Sequence, residues 1–122
     1  MIGLGTVNGN FTNAGTLSLG FGGSTGILTV NGNYTQTLSG TLNIKIGGTI
    51  AGTQYVQLVV AGTGHVATLA GTLNVSIING FSPALDSTYL ILLCPSHSGM
   101  FTANVAPFTI SYADPTDVRL TR

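Results

Sequence analysis

The charged side chains of this chain, with its imidazoles and its one thiol, can be named in full: Asp86, Asp114, Asp117, Lys45, Arg119, Arg122, His65, His97 and Cys94. Glutamate is absent. Hydrolysis of a glycosidic bond needs two carboxylates facing one another across a cleft, yet all three aspartates lie beyond residue 85 and two stand only three positions apart. Asp114, followed by Pro115, has the form of a turn opener, and Asp86 that of a loop cap. No catalytic residue is expected among them, and the chain is expected not to be an enzyme.

A metal centre needs convergent ligands, and the pair available is Cys94 and His97 in a Cys-x-x-His spacing. That is half of a zinc site, with no second pair to complete it. Ile91, Leu92 and Leu93 precede Cys94, and no His, Lys or Arg stands within two positions to stabilise a thiolate, so a buried, inert thiol beside a loop histidine is expected. As the sole cysteine it cannot form an internal disulfide. His65 follows Gly62-Thr63-Gly64 and is expected at a loop tip. The run Gly20-Phe21-Gly22-Gly23-Ser24-Thr25-Gly26 superficially suggests a phosphate loop, but it lacks the Lys of such loops and no helical pattern follows it. Calcium-binding nonapeptide repeats require periodic aspartates, which this chain lacks. Neither cofactor nor metal is expected.

The 122 residues fit one domain, and an apolar fraction of 43% suffices for a continuous core. Only 5% of the residues are charged, against about 25% in an average soluble domain, so Thr, Asn, Ser and Gly must cover the surface. A net charge of zero gives counterion release and electrostatic steering nothing to act through, which sets nucleic acid aside. It also removes the repulsion that keeps copies apart. Disorder would require lower hydrophobicity or higher charge. The longest apolar run, Tyr89 to Cys94, is far short of the roughly 18 residues of a membrane-spanning helix. The first residues lack the basic and apolar segments of a secretory signal, so any export signal is expected to have been removed or to lie upstream.

Internal repetition supplies the elements that would position these residues. Val7-Asn8-Gly9-Asn10-Phe11-Thr12 returns as Val30-Asn31-Gly32-Asn33-Tyr34-Thr35, so position 7 recurs at position 30. Gly15-Thr16-Leu17-Ser18-Leu19 matches Gly40-Thr41-Leu42-Asn43-Ile44 and Gly71-Thr72-Leu73-Asn74-Val75; the third unit has a degenerate first half at Val60-Ala61-Gly62-Thr63-Gly64. Leu42, Ile44 and Ile46 alternate with Thr41, Asn43 and Lys45, which is strand periodicity, and the 18 glycines argue against helix. Asn8-Gly9, Asn31-Gly32, Gly47-Gly48 and Asn79-Gly80 are either hairpin turns or corners of a winding chain.

Units of about 20–30 residues favour an all-β parallel solenoid of about three to five coils, with an antiparallel meander or sandwich as the competitor. In the stacked arrangement Leu17, Leu42 and Leu73 form an interior ladder and Thr16, Thr41 and Thr72 an exterior one, with loop insertions absorbing the uneven spacing. All four prolines fall after Phe81, where the pattern changes, so residues 1–80 are expected to form the repeat coils and 81–122 a C-terminal β cap of the same domain.

The run Gly40-Thr41-Leu42-Asn43-Ile44, followed by Ala51 to Val60 and Gly71 to Ser76, resembles the repeats near the C-terminal end of bacterial autotransporter passengers and of large secreted adhesin-like proteins. The resemblance continues through Asn79 to Pro83 and Tyr89 to Leu92, ends at Tyr112 and Asp117 to Leu120, and covers roughly residues 28–122. It implies a right-handed parallel β-helix, secreted or on the bacterial cell surface, with structural, adhesive or matrix roles and no catalytic residues. Two departures stand out: Val56 replaces the family's usual Asp, and Leu85-Asp86 its Gly-Asp pair. Both are expected to add apolar surface for packing against neighbours. The function expected is a structural module that associates with copies of itself, end to end or by strand exchange, without inserting into a membrane. The alternative is a monomeric module presenting Thr-rich sheet faces to carbohydrate.

Overall fold

Alternating apolar and small polar residues dictate strands, because every second side chain can enter a core while Thr, Asn or Ser faces water. A computed structural model describes residues 5–19 and 25–122, and all regular elements among them are strands. The chain opens with β1 (Gly5–Asn8), β2 (Phe11–Asn13) and β3 (Thr16–Ser18). A second triplet follows as β4 (Ile27–Asn31), β5 (Tyr34–Gln36) and β6 (Thr41–Ile46), and a third as β7 (Gln57–Val60), β8 (Ala67–Leu69) and β9 (Thr72–Ile77). The fourth comprises β10 (Thr88–Leu93), β11 (His97–Gly99) and β12 (Thr102–Asn104), before β13 (Thr109–Ser111) and β14 (Asp117–Thr121).

Each triplet contributes one strand to each of three sheets. One sheet carries β1, β4, β7 and β10, the second β2, β5, β8 and β11, and the third β3, β6, β9 and β12. Every pairing between triplets is parallel. Thr16, Thr41, Thr72 and Thr102 therefore stand in one row, and Leu17, Leu42, Leu73 and Ala103 in the next. This is the register expected from the repeats. Asn8-Gly9 joins β1 to β2 and Asn31-Gly32 joins β4 to β5, strands of different sheets, so these steps are corners and the antiparallel meander is ruled out.

The inward rows of all three sheets meet in one core. Leu28, Val30 and Leu58 enter from the first sheet, Tyr34 and Ala67 from the second, and Leu17, Leu42, Ile44 and Leu73 from the third. Successive corners approach closely. Gly71, at φ 67°, accepts from Thr102 N through its carbonyl, and a Cβ on it would collide with the carbonyl oxygens of Gly40 and Thr37.

Parallel pairing continues past Gly80, through His97–Gly99 against Ala67–Leu69 and Thr102–Asn104 against Thr72–Asn74. The departure expected from residue 81 is thus confined to β13 and β14. The fourth triplet escapes notice in the sequence because His97-Ser98-Gly99 and Thr102-Ala103-Asn104 lack the leucines of the earlier units. β14 runs antiparallel along β10, and β13 antiparallel along β14, with Val118 and Leu120 fully buried. Tyr89 meets Tyr55, Phe81 and Phe108 edge to face, closing this end of the core. Val56 is also fully buried, so its apolar side chain serves the core and adds no surface; Leu85 is 75% exposed, as expected.

Leu42→Ala is expected to cost about 2–5 kcal/mol, because the interior row has no room to collapse. Thr68→Ala, on an outer face, should stay within about 0.5 kcal/mol. Urea unfolding followed by far-UV circular dichroism checks both.

Candidate functional site

The chain's acidic residues do not converge on a cleft. Arg119, on β14, grips the Asp117 carboxylate through Nη2 at 2.7 Å and Nε at 3.0 Å, and its Nη2 reaches Asp114 Oδ2 at 3.4 Å. Hydrogen bonds from the Thr116 hydroxyl and amide, 2.7 and 2.8 Å long, hold the Asp114 carboxyl below its ordinary range, helped by the positive charge of Arg119. Asp117 in turn holds the Arg119 guanidinium above its own. Asp114 is thus the turn opener expected before Pro115. Asp86 lies in the left-handed region at φ 68°, and its amide donates to the Arg122 carbonyl at 2.9 Å. A shallow depression lined by Ser111, Ala113, Asp114, Pro115 and Arg119 presents only charges already paired with each other.

Cys94 is buried, with Sγ 4.0 Å from the Pro115 carbonyl. Burial pushes its thiol up to about 11, and the negative charges of Asp117 and Asp114 push in the same direction. His97 turns its Nε2 to the Asp114 carbonyl at 2.8 Å and its ring to the edge of Tyr112. Among the described residues no three His, Cys, Asp or Glu side chains are grouped to hold a metal ion. His65 is half-buried, its Nδ1 2.5 Å from the Ala61 carbonyl. Gly20–Ser24 of the Gly-rich run lie outside the described residues; Thr25 donates from Oγ1 to the Gly52 carbonyl at 2.8 Å. Native protein at pH 8 is expected to resist iodoacetamide at Cys94, and urea should release rapid labelling, as mass spectrometry would show.

What the triplets do assemble is ordered polar surface. On the outer face of the third sheet Asn104 Nδ2 donates to Asn74 Oδ1 at 3.0 Å, Asn74 Nδ2 to Asn43 Oδ1 at 3.3 Å, and Asn43 Nδ2 to Ser18 Oγ at 2.8 Å. The threonine row runs beside this amide ladder. The second sheet presents Thr12, Thr35, Thr68 and Ser98. Rows on adjacent strands repeat at about 4.8 Å, giving uncharged donors and acceptors on a regular lattice. Such a surface can order water or meet hydroxyl-rich ligands.

The interior contains a polar site that sequence reasoning does not single out. Asn13 and Gln36 are aligned on β2 and β5 and are both buried. Gln36 Oε1 accepts from the Tyr34 hydroxyl at 2.7 Å and from Asn13 Nδ2 at 3.4 Å, while Nε2 donates to the carbonyls of Ala70 at 2.9 Å and Thr72 at 3.0 Å. One side chain thereby ties the first three triplets together. Strand alternation carried the signal, since Phe11 and Asn13 share a side, as do Tyr34 and Gln36.

Gln36→Ala would remove the acceptor of the Tyr34 hydroxyl and a donor to the part-buried carbonyls of Ala70 and Thr72, and is expected to cost about 1–3 kcal/mol in urea unfolding. Burial pushes the Tyr34 hydroxyl from 10.0 up to about 12, against a smaller downward pull from Asn13. With the folded value above the unfolded one, its stabilisation is full below pH 10 and is lost as pH rises toward 12. Urea midpoints between pH 9 and 12 should fall accordingly, with about 2–3 kcal/mol lost through this group.

The sheets have distinct ends. Among the described residues β1, β2 and β3 begin them, while β11, β12 and β13 end them. Comparison with known proteins adds no relative: no family model matches the chain, and neither a curated protein nor a solved structure matches it.

Proposed function

We propose that this chain is a structural, self-associating module of the bacterial exterior, a building block of a fibre, matrix or adhesin, and not an enzyme. Its architecture is taken as a right-handed parallel β-solenoid of four coils, one per strand triplet, closed by the antiparallel β13–β14 cap. The parallel pairing of β1, β4, β7 and β10 supports the winding, and the strong preference of parallel crossovers supports its hand. The observation that carries the function is that the strands of the first 80 residues have one Lys and no Pro to guard an edge. Edges of this kind template pairing with another chain, and a net charge of zero offers no repulsion against it. The resemblance to autotransporter passenger repeats and adhesin-like proteins supports an extracellular, non-catalytic role. The partner proposed is a second copy of the chain; nucleic acid finds no basic surface, since three cations face three anions.

A second reading has its own observation. The threonine row and the Asn43–Asn74–Asn104 ladder form a regular, uncharged hydrogen-bonding face that suits a hydroxyl-rich surface glycan.

Negative-stain microscopy of the purified chain across a concentration series is expected to show assemblies growing at the expense of monomers. Dispersed monomers at the highest concentration would contradict self-association. A glycan array with no bound sugar would dispose of the second reading.

A further inference from the structure

We propose that Asn10 and Asn33 are acceptor sites for an N-linked sugar, taken from a nucleotide-activated hexose, and that the fold withholds a third candidate, Asn74. The inference stands on side chains of the outer surface and is independent of the self-association proposed above.

Transfer of a sugar to an asparagine amide needs the triplet Asn-x-Ser/Thr, with x other than Pro, at an accessible surface. Three such triplets occur: Asn10-Phe11-Thr12, Asn33-Tyr34-Thr35 and Asn74-Val75-Ser76. The first two are the same position of successive repeats, each asparagine standing just ahead of a strand of the second sheet, β2 or β5. Phe11 and Tyr34 pair in register and stack with ring centroids 5.9 Å apart, packed on the core side. Alternation then brings the asparagine and the threonine of each triplet together on the outside. Asn10, Thr12 and Asn33 are exposed, and Thr35 is half-buried.

The amide groups of the three asparagines are engaged differently. Asn10 Oδ1 accepts from Asn33 N, and Asn33 Oδ1 from Val66 N, each at 2.9 Å. The carbonyl side of each is thereby anchored to the next triplet, while Nδ2, the atom that receives a sugar, has no partner among the described residues. Asn74 is half-buried and engaged on both sides: its Nδ2 donates to Asn43 Oδ1 at 3.3 Å and its Oδ1 accepts from Asn104 Nδ2 at 3.0 Å. A sugar there would break the amide ladder. In the transfer, Nδ2 forms a bond to C1 of the hexose and the bond from C1 to the diphosphate oxygen breaks. The nucleoside diphosphate leaves, and Nδ2 gives up one proton to solvent. Rows on neighbouring strands repeat at about 4.8 Å, close to the thickness of a pyranose ring, so single sugars fit side by side where branched chains would collide.

Glycopeptide mass spectrometry tests this in two settings. One is the full chain recovered from the cells that produce it; the other is the purified, folded chain incubated with UDP-glucose and a soluble transferase specific for Asn-x-Ser/Thr. Both are expected to show one hexose on Asn10 and one on Asn33, with Asn74 bare. Synthetic peptides spanning the triplets should accept glucose at all three asparagines, which assigns the sparing of Asn74 to the fold. Thr12→Ala and Thr35→Ala should each abolish the sugar on the adjoining asparagine with the circular dichroism unchanged, and Ser76→Ala should alter nothing. Bare Asn10 and Asn33 in either setting, or Asn74 occupied as fully as they are, would overturn the proposal. An Asn74 peptide that refuses glucose would overturn the part given to the fold.

Discussion

The structure depends on backbone pairing between parallel strands that lie one triplet apart along the chain. Such pairing sets each strand beside its counterpart in the neighbouring triplet, one strand spacing away and in register. Like residues then fall on like residues, which is why Thr16, Thr41, Thr72 and Thr102 share a row although the intervals between them are unequal. Extra length must leave the sheets and return without disturbing the register. Between β6 and β7 it does so by folding on itself: Gln54 Oε1 accepts from the amides of Thr49 and Ile50, and Gly47 N donates to the Gln54 carbonyl at 2.7 Å.

The same constraint shapes the interior and the end. A core filled only by Leu, Ile and Val would resist slippage weakly, because neighbouring apolar rows are nearly interchangeable. The Asn13, Tyr34 and Gln36 cluster makes one register distinct, since a shift by one residue would turn Gln36 away from the Ala70 and Thr72 carbonyls it satisfies. At β10 the parallel order stops because β14 arrives from the opposite direction, seals the edge with Val118 and Leu120, and keeps Asp117 on Arg119.

Much of this was legible in the sequence. The repeats of Val-Asn-Gly-Asn and Gly-Thr-Leu identify the aligned residues of the first three triplets, and alternation around Leu42 and Leu73 separates core from surface. The fourth triplet was not legible, because Ala103 and Gly99 stand where Leu73 and Leu69 stood and no apolar repeat survives. The buried Asn13 and Gln36 were also missed, since in a chain rich in Asn and Thr a polar residue is assumed to face water. Val56 misled in the opposite sense: compared with the Asp of similar repeats it suggested surface, while its fully buried position belongs to the core. The candidate chemistry was legible chiefly as a scarcity of reactive groups, and the structure adds that Asp114 and Asp117 are taken up by Arg119.

Parallel stacking at these registers is the central claim, and methyl-resolved NMR tests it most directly. Nuclear Overhauser contacts should link Leu17 to Leu42 and Leu42 to Leu73, and the Gln36 side-chain amide to Thr72. Contacts pairing β4 antiparallel with β5, or β5 with β6, in place of these would contradict it.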